Sequence, residues 1–200
     1  MGTVSRNSIV DFVRHAGIAR PRELAALGVT RVALADLVEA GDLRRDGRGL
    51  YSVADGEMSE HRTLAEVAKR IPGGVICLLS ALRFHDLTVQ NPHEVWVAIQ
   101  GQSWKPRFEY PPVRVFRFTG TAWSEGVERH TIDGVSVAVT SVEKTVADCF
   151  KFRNKIGLSV ALEALQDAWR KKKLNTDEVW HFAEVCRVLS VVRPYLDTLS

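Results

Sequence analysis

The sequence predicts an α+β protein in two parts: a helical N-terminal domain that ends in a small hairpin, and a C-terminal domain with a sheet of about four strands and a helical bundle. Three observations support this prediction. Short helix and hairpin signals follow one another over residues 6–53, β-branched and aromatic residues dominate over residues 93–139, and helical spacing returns after Thr140. We therefore expect one domain over residues 1–57 and another over residues 58–200.

The N-terminal part contains two short helices joined by a tight turn. Pro21 suits the first turn of a helix, where its missing N–H is not needed, and Gly28 is the expected terminator of that helix. Thr30 can cap a second helix over residues 31–40, and an amphipathic helix over residues 6–15 precedes the pair. This order of elements is typical of a helix-turn-helix.

A β-hairpin follows the second helix. Residues 43–45 and 50–53 have the composition of strands, and the glycines of the connecting segment Asp46–Gly49 permit the positive φ angles of a tight turn. A hairpin directly after a helix-turn-helix predicts a winged helix-turn-helix. In that arrangement residues 31–40 form the recognition helix and the hairpin is the wing.

The residue types of this domain favour DNA as the partner. Arginine offers a planar fork of donors that fits phosphate oxygens or the O6 and N7 edge of guanine. Small apolar side chains on the outward side of the recognition helix can contact a thymine methyl group. Winged helices also serve as protein–protein modules, so that alternative stays open at this point. The predicted DNA-binding residues are Arg22, Thr30, Arg31, Val32, Ala35, Arg44, Arg45 and Arg48.

Composition limits the other classes of protein. The 200 residues are 46% hydrophobic and 26% charged, with a formal net charge of +3, which is typical of a globular protein with a mildly basic surface. No apolar run approaches the roughly 20 residues that span a bilayer, and the start of the chain lacks the apolar segment of a signal peptide. We therefore expect a cytoplasmic protein without a membrane partner.

No constellation of residues indicates catalysis or metal binding. The six histidines lack the spacing of a metal site, and no Cys-x-x-Cys pair or phosphate-binding glycine loop occurs. Glu143, Lys144 and Asp148 lie at the start of a predicted helix, where a capping box and an i,i+4 ion pair explain them without a nuclease. The sequence therefore predicts that the protein is not an enzyme and needs no cofactor or metal.

Two segments of the C-terminal domain are candidate binding surfaces. The loop over residues 101–112 interleaves Trp104 and Tyr110 with Lys105 and Arg107, which is typical either of a binding surface or of a lid on the sheet. Residues 75–85 precede this region as a predicted helix, and a further helix after Thr140 carries a mostly basic row. The predicted second basic face consists of Lys144, Lys151, Arg153 and Lys155.

The chain resembles the antitoxins of the abortive-infection AbiE type, which belong to type IV toxin–antitoxin systems. The resemblance covers nearly the whole chain. It rests on the segment RPRELAALGVTRVALADLVEAGDLRRDGRGLYSV, on the closing helices and, more specifically, on the block from Val139 to Leu165. It implies a bacterial protein whose winged helix binds inverted repeats in its own operator and represses its own operon. It also implies that the C-terminal domain counteracts a cognate toxin of the nucleotidyltransferase superfamily, with no stable complex required.

The resemblance leaves the role of the C-terminal domain open. The second basic face could contact flanking DNA, an acidic toxin or the RNA substrate of that toxin, and it is the candidate site for antitoxicity. The alternative function is that of a winged-helix transcriptional regulator whose C-terminal domain senses a ligand or mediates oligomerisation. A ligand pocket under Trp104 and Tyr110 would favour this alternative.

Overall fold

The computed structural model describes residues 5–47 and 49–199, and it is α+β, as predicted. The chain divides into two compact units. The first unit contains the residues up to Pro72 together with residues 108–111 and 131–137, and the second unit contains the rest. The predicted domain boundary at residue 57 stays a prediction.

The first unit contains the predicted order of helices and hairpin. Helix α3 (Arg31–Glu39) is the predicted recognition helix, and strands β1 (Leu43–Arg45) and β2 (Tyr51–Val53) form the hairpin predicted as the wing, with Leu43 opposite Val53 and Arg45 opposite Tyr51. The elements are α1 (Arg6–Ala16), α2 (Pro21–Ala26), α3 (Arg31–Glu39), β1 (Leu43–Arg45), β2 (Tyr51–Val53) and α4 (Arg62–Arg70).

Local hydrogen bonds explain where the two central helices begin. The Arg20 backbone N–H donates to Glu23 Oε2 over 2.8 Å at the start of α2, and Pro21 is the first helical residue. The Thr30 hydroxyl accepts a hydrogen bond from the Ala33 backbone N–H over 3.2 Å at the start of α3. Such caps satisfy N–H groups that have no partner within the helix.

The core of the first unit holds the helices against the wing. Leu34 and Leu37 of α3 are buried, and they share an apolar cluster with Ile9 and Val13 of α1 and with Leu43 of the wing. The i,i+3 spacing of Leu34 and Leu37 predicts that both face inward, and their burial confirms this phase of α3. The opposite side of α3 is therefore free to meet a partner.

The second unit contains a sheet covered by helices. The elements are β3 (Val75–Ile76), α5 (Leu78–Phe84), β4 (Val95–Gln100), β5 (Val113–Phe118), α6 (Thr121–Ser124), β6 (Val127–Ile132), β7 (Val135–Thr140), α7 (Val142–Lys151), α8 (Arg153–Ile156), α9 (Leu158–Arg170), α10 (Thr176–Val185) and α11 (Leu189–Leu196). The strand order of the sheet is β5-β4-β3-β7-β6; β3 pairs antiparallel with β4 and parallel with β7, and β4 pairs parallel with β5.

The sheet has five strands rather than about four, because the segment predicted as a helix over residues 75–85 begins with a strand. Val75 and Ile76 pair with strands on both sides, and the Cys77 backbone N–H donates to the Trp96 carbonyl over 3.0 Å. Helix α5 therefore begins only at Leu78. Two β-branched residues placed between two partner strands gain more from pairing than from a helical turn.

The dipeptide Asp133–Gly134 predicts a hairpin turn from the sequence, and the β6–β7 hairpin turns there, with φ angles of 45° and 75°. Its tip belongs to the first unit, where the Asp133 carboxylate accepts a hydrogen bond from the Ser59 backbone N–H over 3.3 Å. A Cβ atom on Gly17 would lie 1.4 Å from the Asp133 carbonyl oxygen. Only glycine at position 17 therefore permits this approach.

Helix α7 is the centre of the second unit. It contacts α5, α8, α9, α10 and α11, and every residue from Lys144 to Phe150 is buried. A helix enclosed in this way has no solvent-facing stripe over that segment. Within the described residues, no helix has the length and apolar character needed to cross a membrane.

Candidate nucleic-acid interface

The outward side of α3 presents residues of the types that read DNA. Arg31, Val32 and Ala35 are exposed, and Val32 retains 70% of its accessible surface. Packing within the chain does not explain an exposed valine in the first turn of a helix that buries Leu34 and Leu37. A small apolar side chain in this place can contact a thymine methyl group in a major groove.

Two acidic residues share this outward side. Asp36 and Glu39 are exposed on α3, next to Ala35 in the sequence and one turn beyond it. A carboxylate near the phosphates weakens binding, whereas one that reaches a base edge can accept a hydrogen bond from the cytosine amino group. The acidic residues therefore restrict which part of α3 can approach the phosphate backbone of DNA.

The remaining helical candidates lie at helix starts. Arg22 is exposed in the first turn of α2. Thr30 is exposed, and its hydroxyl accepts the capping hydrogen bond from Ala33, so its own proton is available to donate to a phosphate oxygen. Both residues are in positions from which a backbone contact is possible.

The arginines of the wing differ in their surroundings. Arg45 is exposed, whereas Arg44 Nε donates to Asp46 Oδ1 over 3.0 Å and to Ser52 Oγ over 3.1 Å. Arg44 is thus partly committed to holding the hairpin together. Arg48 lies outside the described residues, so its predicted role rests on the sequence alone.

Sequence reasoning missed Arg62, which supports the wing from α4. Its guanidinium pairs with Asp46 of the wing, with Glu66 at 3.7 Å and with Asp133 at 3.5 Å, and the side chain is 10% exposed. No motif marks this arginine in the sequence. Its partners are brought together by the fold of the first unit.

The acidic partners of Arg62 also affect one another. Burial raises the pKa of the Glu66 carboxyl, and the nearby Asp46 charge raises it further, while Arg62 and two other arginines oppose the shift. Arg62 therefore compensates several carboxylates that would otherwise repel in a partly buried place. We call Arg62, Asp46, Glu66 and Asp133 the Arg62 cluster.

The prediction of the second basic face is wrong in one respect, because Lys144 is buried. Its side chain is completely buried, because other helices of the second unit enclose α7. Lys144 Nζ donates to Asp148 Oδ2 over 2.5 Å and lies 4.7 Å from the centre of the Phe118 ring. The i,i+4 spacing reflects an internal ion pair.

Asp148 is also buried, and its second oxygen is satisfied by a thiol. Cys186 Sγ donates to Asp148 Oδ1 over 3.2 Å. Burial raises the pKa of the Asp148 carboxyl, while the Lys144 ammonium opposes that rise. Burial and the Asp148 charge raise the pKa of the Cys186 thiol to about 12, so this cysteine stays a neutral hydrogen-bond donor.

The other three residues of the second basic face remain candidates. Lys151 and Lys155 are exposed, and Arg153 is partly buried with its Nη1 donating to the Phe150 carbonyl over 2.9 Å. Lys155 Nζ stands 5.5 Å from the centre of the Phe116 ring. The face is therefore smaller than the sequence suggested, and its role stays a prediction.

The aromatic loop does not act as a lid at Trp104, which is 88% exposed. Residues 102–107 and Arg117 instead line an open cavity of about 590 Å³ within the second unit. Tyr110 is 63% exposed and belongs to the first unit.

The described part of the chain contains no group of three or more His, Cys, Asp or Glu side chains that could hold a metal ion. Cys77, Cys149 and Cys186 are free and buried. The candidate interface consists of charged and exposed side chains.

Residues 7–54 match a family described as "Transcriptional regulator, AbiEi antitoxin". This match confirms the resemblance to AbiEi antitoxins over residues 7–54. It extends from α1 to the end of the wing and supports an antitoxin and transcriptional-regulator role, and the family is one of regulators rather than enzymes. The AbiEi match does not include the block from Val139 to Leu165. None of the curated proteins compared matches the chain.

The ion pair inside α7 yields a stability prediction. Replacing Lys144 by Met leaves the Asp148 carboxylate buried without its partner, which costs about 3–5 kcal/mol in the free energy of unfolding. The double variant Lys144→Met, Asp148→Leu removes both charges and should be more stable than the single variant. Denaturant unfolding followed by circular dichroism measures both.

Lys151→Met is the matched control, because Lys151 is an exposed lysine in the same helix. We expect it to change stability by less than about 0.5 kcal/mol. Equal stability of Lys144→Met and Lys151→Met would contradict the buried pair.

Proposed function

We propose that this protein is the antitoxin and transcriptional autorepressor of an AbiE-like, type IV toxin–antitoxin operon. Its winged helix binds inverted repeats in its own operator, and its C-terminal domain counteracts a nucleotidyltransferase-like toxin. The observation that carries the DNA-binding part is the outward side of α3, where Arg31 stands beside the exposed and otherwise unexplained Val32. The match over residues 7–54 supports the regulator role.

The chemistry of the first unit supports a duplex partner. An α-helix fits the major groove, where Arg31 can donate two hydrogen bonds to guanine and Val32 and Ala35 can contact thymine methyl groups. Arg22 and Arg45 are exposed on either side of α3 in the sequence and can contact phosphates. Arg48 joins them on the wing by its position in the sequence.

The Arg62 cluster gives the wing a fixed position without contacting DNA itself. Asp46 receives hydrogen bonds from Arg44 and Arg62, and its own N–H donates to the Leu50 carbonyl over 2.9 Å. The turn of the wing is thus held on both its side-chain and its backbone groups. A wing held in advance loses less conformational entropy when it binds.

Arg31→Ala tests the direct contact. Removing a guanine contact should weaken operator binding by about 1–3 kcal/mol, and removing a phosphate contact should reduce the salt slope by about one. Fluorescence anisotropy with the operator duplex over a series of salt concentrations measures both. Arg170→Ala, an exposed arginine of α9, is the control that should change neither. Unchanged affinity and slope for Arg31→Ala would remove α3 from the interface.

Asp46→Asn tests the support of the wing, because two effects have opposite signs. Loss of a negative charge near DNA would by itself strengthen binding, whereas loss of the charge-assisted bonds to Arg44 and Arg62 loosens the wing. We expect the second effect to prevail and affinity to fall by about 1 kcal/mol. The anisotropy assay measures it, with Asp11→Asn on the exposed side of α1 as control. Stronger binding by Asp46→Asn would refute the supporting role.

The antitoxin part is tested by bacterial growth. The adjacent open reading frame is induced alone, with the unaltered protein, and with the variant Arg31→Ala, Arg45→Ala, all from a foreign promoter so that repression cannot explain rescue. We expect toxicity that both forms of the protein relieve. Point variants are preferable to deletion of residues 1–57, because residues 108–111 and 131–137 also belong to the first unit.

The growth experiment also separates the alternative function. If the neighbouring product is not toxic, or if the unaltered protein does not rescue growth, the antitoxin part is wrong. A winged-helix regulator with a ligand-sensing or oligomerising C-terminal domain then remains, and the open cavity of about 590 Å³ near Trp104 is the place to look for its ligand.

A further inference from the structure

The loop between β4 and β5 exposes a tryptophan that packing does not explain. Trp104 is 88% exposed, and within residues 5–47 and 49–199 no aromatic ring or cation stacks on it. Trp96, by contrast, is 3% exposed and stacks on Phe116 at 5.1 Å between ring centres. A large aromatic side chain held in water is typical of a surface that meets a partner.

The loop is fixed in place from the neighbouring strand. Arg117 of β5 donates from Nη1 to the Gly101 carbonyl over 2.6 Å and to the Ser103 carbonyl over 2.8 Å. The Ser103 backbone N–H donates to the Gln100 carbonyl over 2.9 Å. Trp104 therefore follows a turn that is already ordered, so a ligand need not supply that ordering.

The charge around Trp104 has one sign. Residues 102–107 and Arg117 line the open cavity of about 590 Å³, and this lining includes the cations Lys105, Arg107 and Arg117 but no carboxylate. Only Nη1 of Arg117 donates hydrogen bonds to the loop. The Nε and Nη2 groups of its guanidinium have no hydrogen bond within the described residues. An anion that enters the cavity meets donors and no repelling charge.

We propose that residues 102–107 and Arg117 bind an unpaired nucleotide of a single-stranded nucleic acid. The base stacks on Trp104, and the adjoining phosphates meet Lys105, Arg107 and Arg117. An exposed ring selects a ligand with a free aromatic face, and the cations select one with phosphates, a combination that an unpaired strand provides and a duplex hides. This inference goes beyond operator binding and does not rest on it.

The test uses the full chain and fluorescently labelled single strands of about ten nucleotides, as RNA and as DNA of the same mixed sequence. Anisotropy titration gives the Kd for each strand. Trp104→Ala should weaken binding by roughly 5- to 150-fold, and Trp104→Phe, which keeps a ring, should lose less. Trp169→Ala is the matched control, since Trp169 is a partly exposed tryptophan of α9.

Thermal unfolding of each variant checks folding, and Trp104→Ala should unfold at the same temperature as the unaltered chain, because the ring is exposed. Equal affinity of Trp104→Ala and the unaltered chain overturns the proposal, as does an absence of binding to both strands. A duplex bound equally well with the same dependence on Trp104 overturns it too. If adenosine monophosphate displaces the labelled strand at concentrations near the Kd of that strand, the site binds free nucleotides and the proposal is wrong.

The variant Arg31→Ala separates this inference from the proposed operator binding. It should bind single strands as the unaltered chain does while its operator affinity falls. Loss of single-strand binding in Arg31→Ala would assign that binding to the first unit and overturn the role of the loop.

Discussion

The ion pair between Lys144 and Asp148 is the constraint around which the second unit is built. Moving two charges out of water costs several kcal/mol for each ion, so the pair persists only where its remaining groups are satisfied. Asp148 receives its second hydrogen bond from Cys186, and the Lys144 ammonium lies against the Phe118 ring. Elements from the sheet and from the end of α10 therefore meet α7 at the groups that this buried pair leaves to be satisfied.

The first unit also contains charges with little exposure to solvent, but there one cation is paired with several carboxylates. One buried arginine, Arg62, compensates three carboxylates that come from the wing, from its own helix and from the β6–β7 turn. Each carboxylate alone would be destabilised by burial, and together they would repel. The conformation of the wing thus depends on a residue that lies outside the winged helix-turn-helix segment and outside the family match over residues 7–54.

Sequence reasoning succeeded where the structure is determined locally. Pro21, the Thr30 cap and the Asp133–Gly134 turn are each fixed by neighbouring residues, and all three were predicted at the correct positions. It failed where distant residues decide. Strand β3 exists because two other strands flank it, and Lys144 has the same spacing from Lys151 and Lys155 whether α7 is enclosed or exposed. For the candidate site, exposure of Arg31, Val32 and Ala35 followed from the phase of α3, whereas Arg62 and Arg117 had no pattern to mark them.

Because Lys144 is buried, the candidate cations of the second unit form two separate groups. Side chains alternate between the faces of a sheet, so Phe116 and Arg117 of β5 point to opposite faces. Lys155 stands over the Phe116 ring on the face that packs against the helices, while Arg117 holds the Trp104 loop from the other face. A nucleic acid bound at Trp104 and the Lys155 ammonium therefore lie on opposite faces of the sheet. The Trp104 loop and the remaining basic face are two surfaces with independent chemistry, and substitutions in one should leave the other intact.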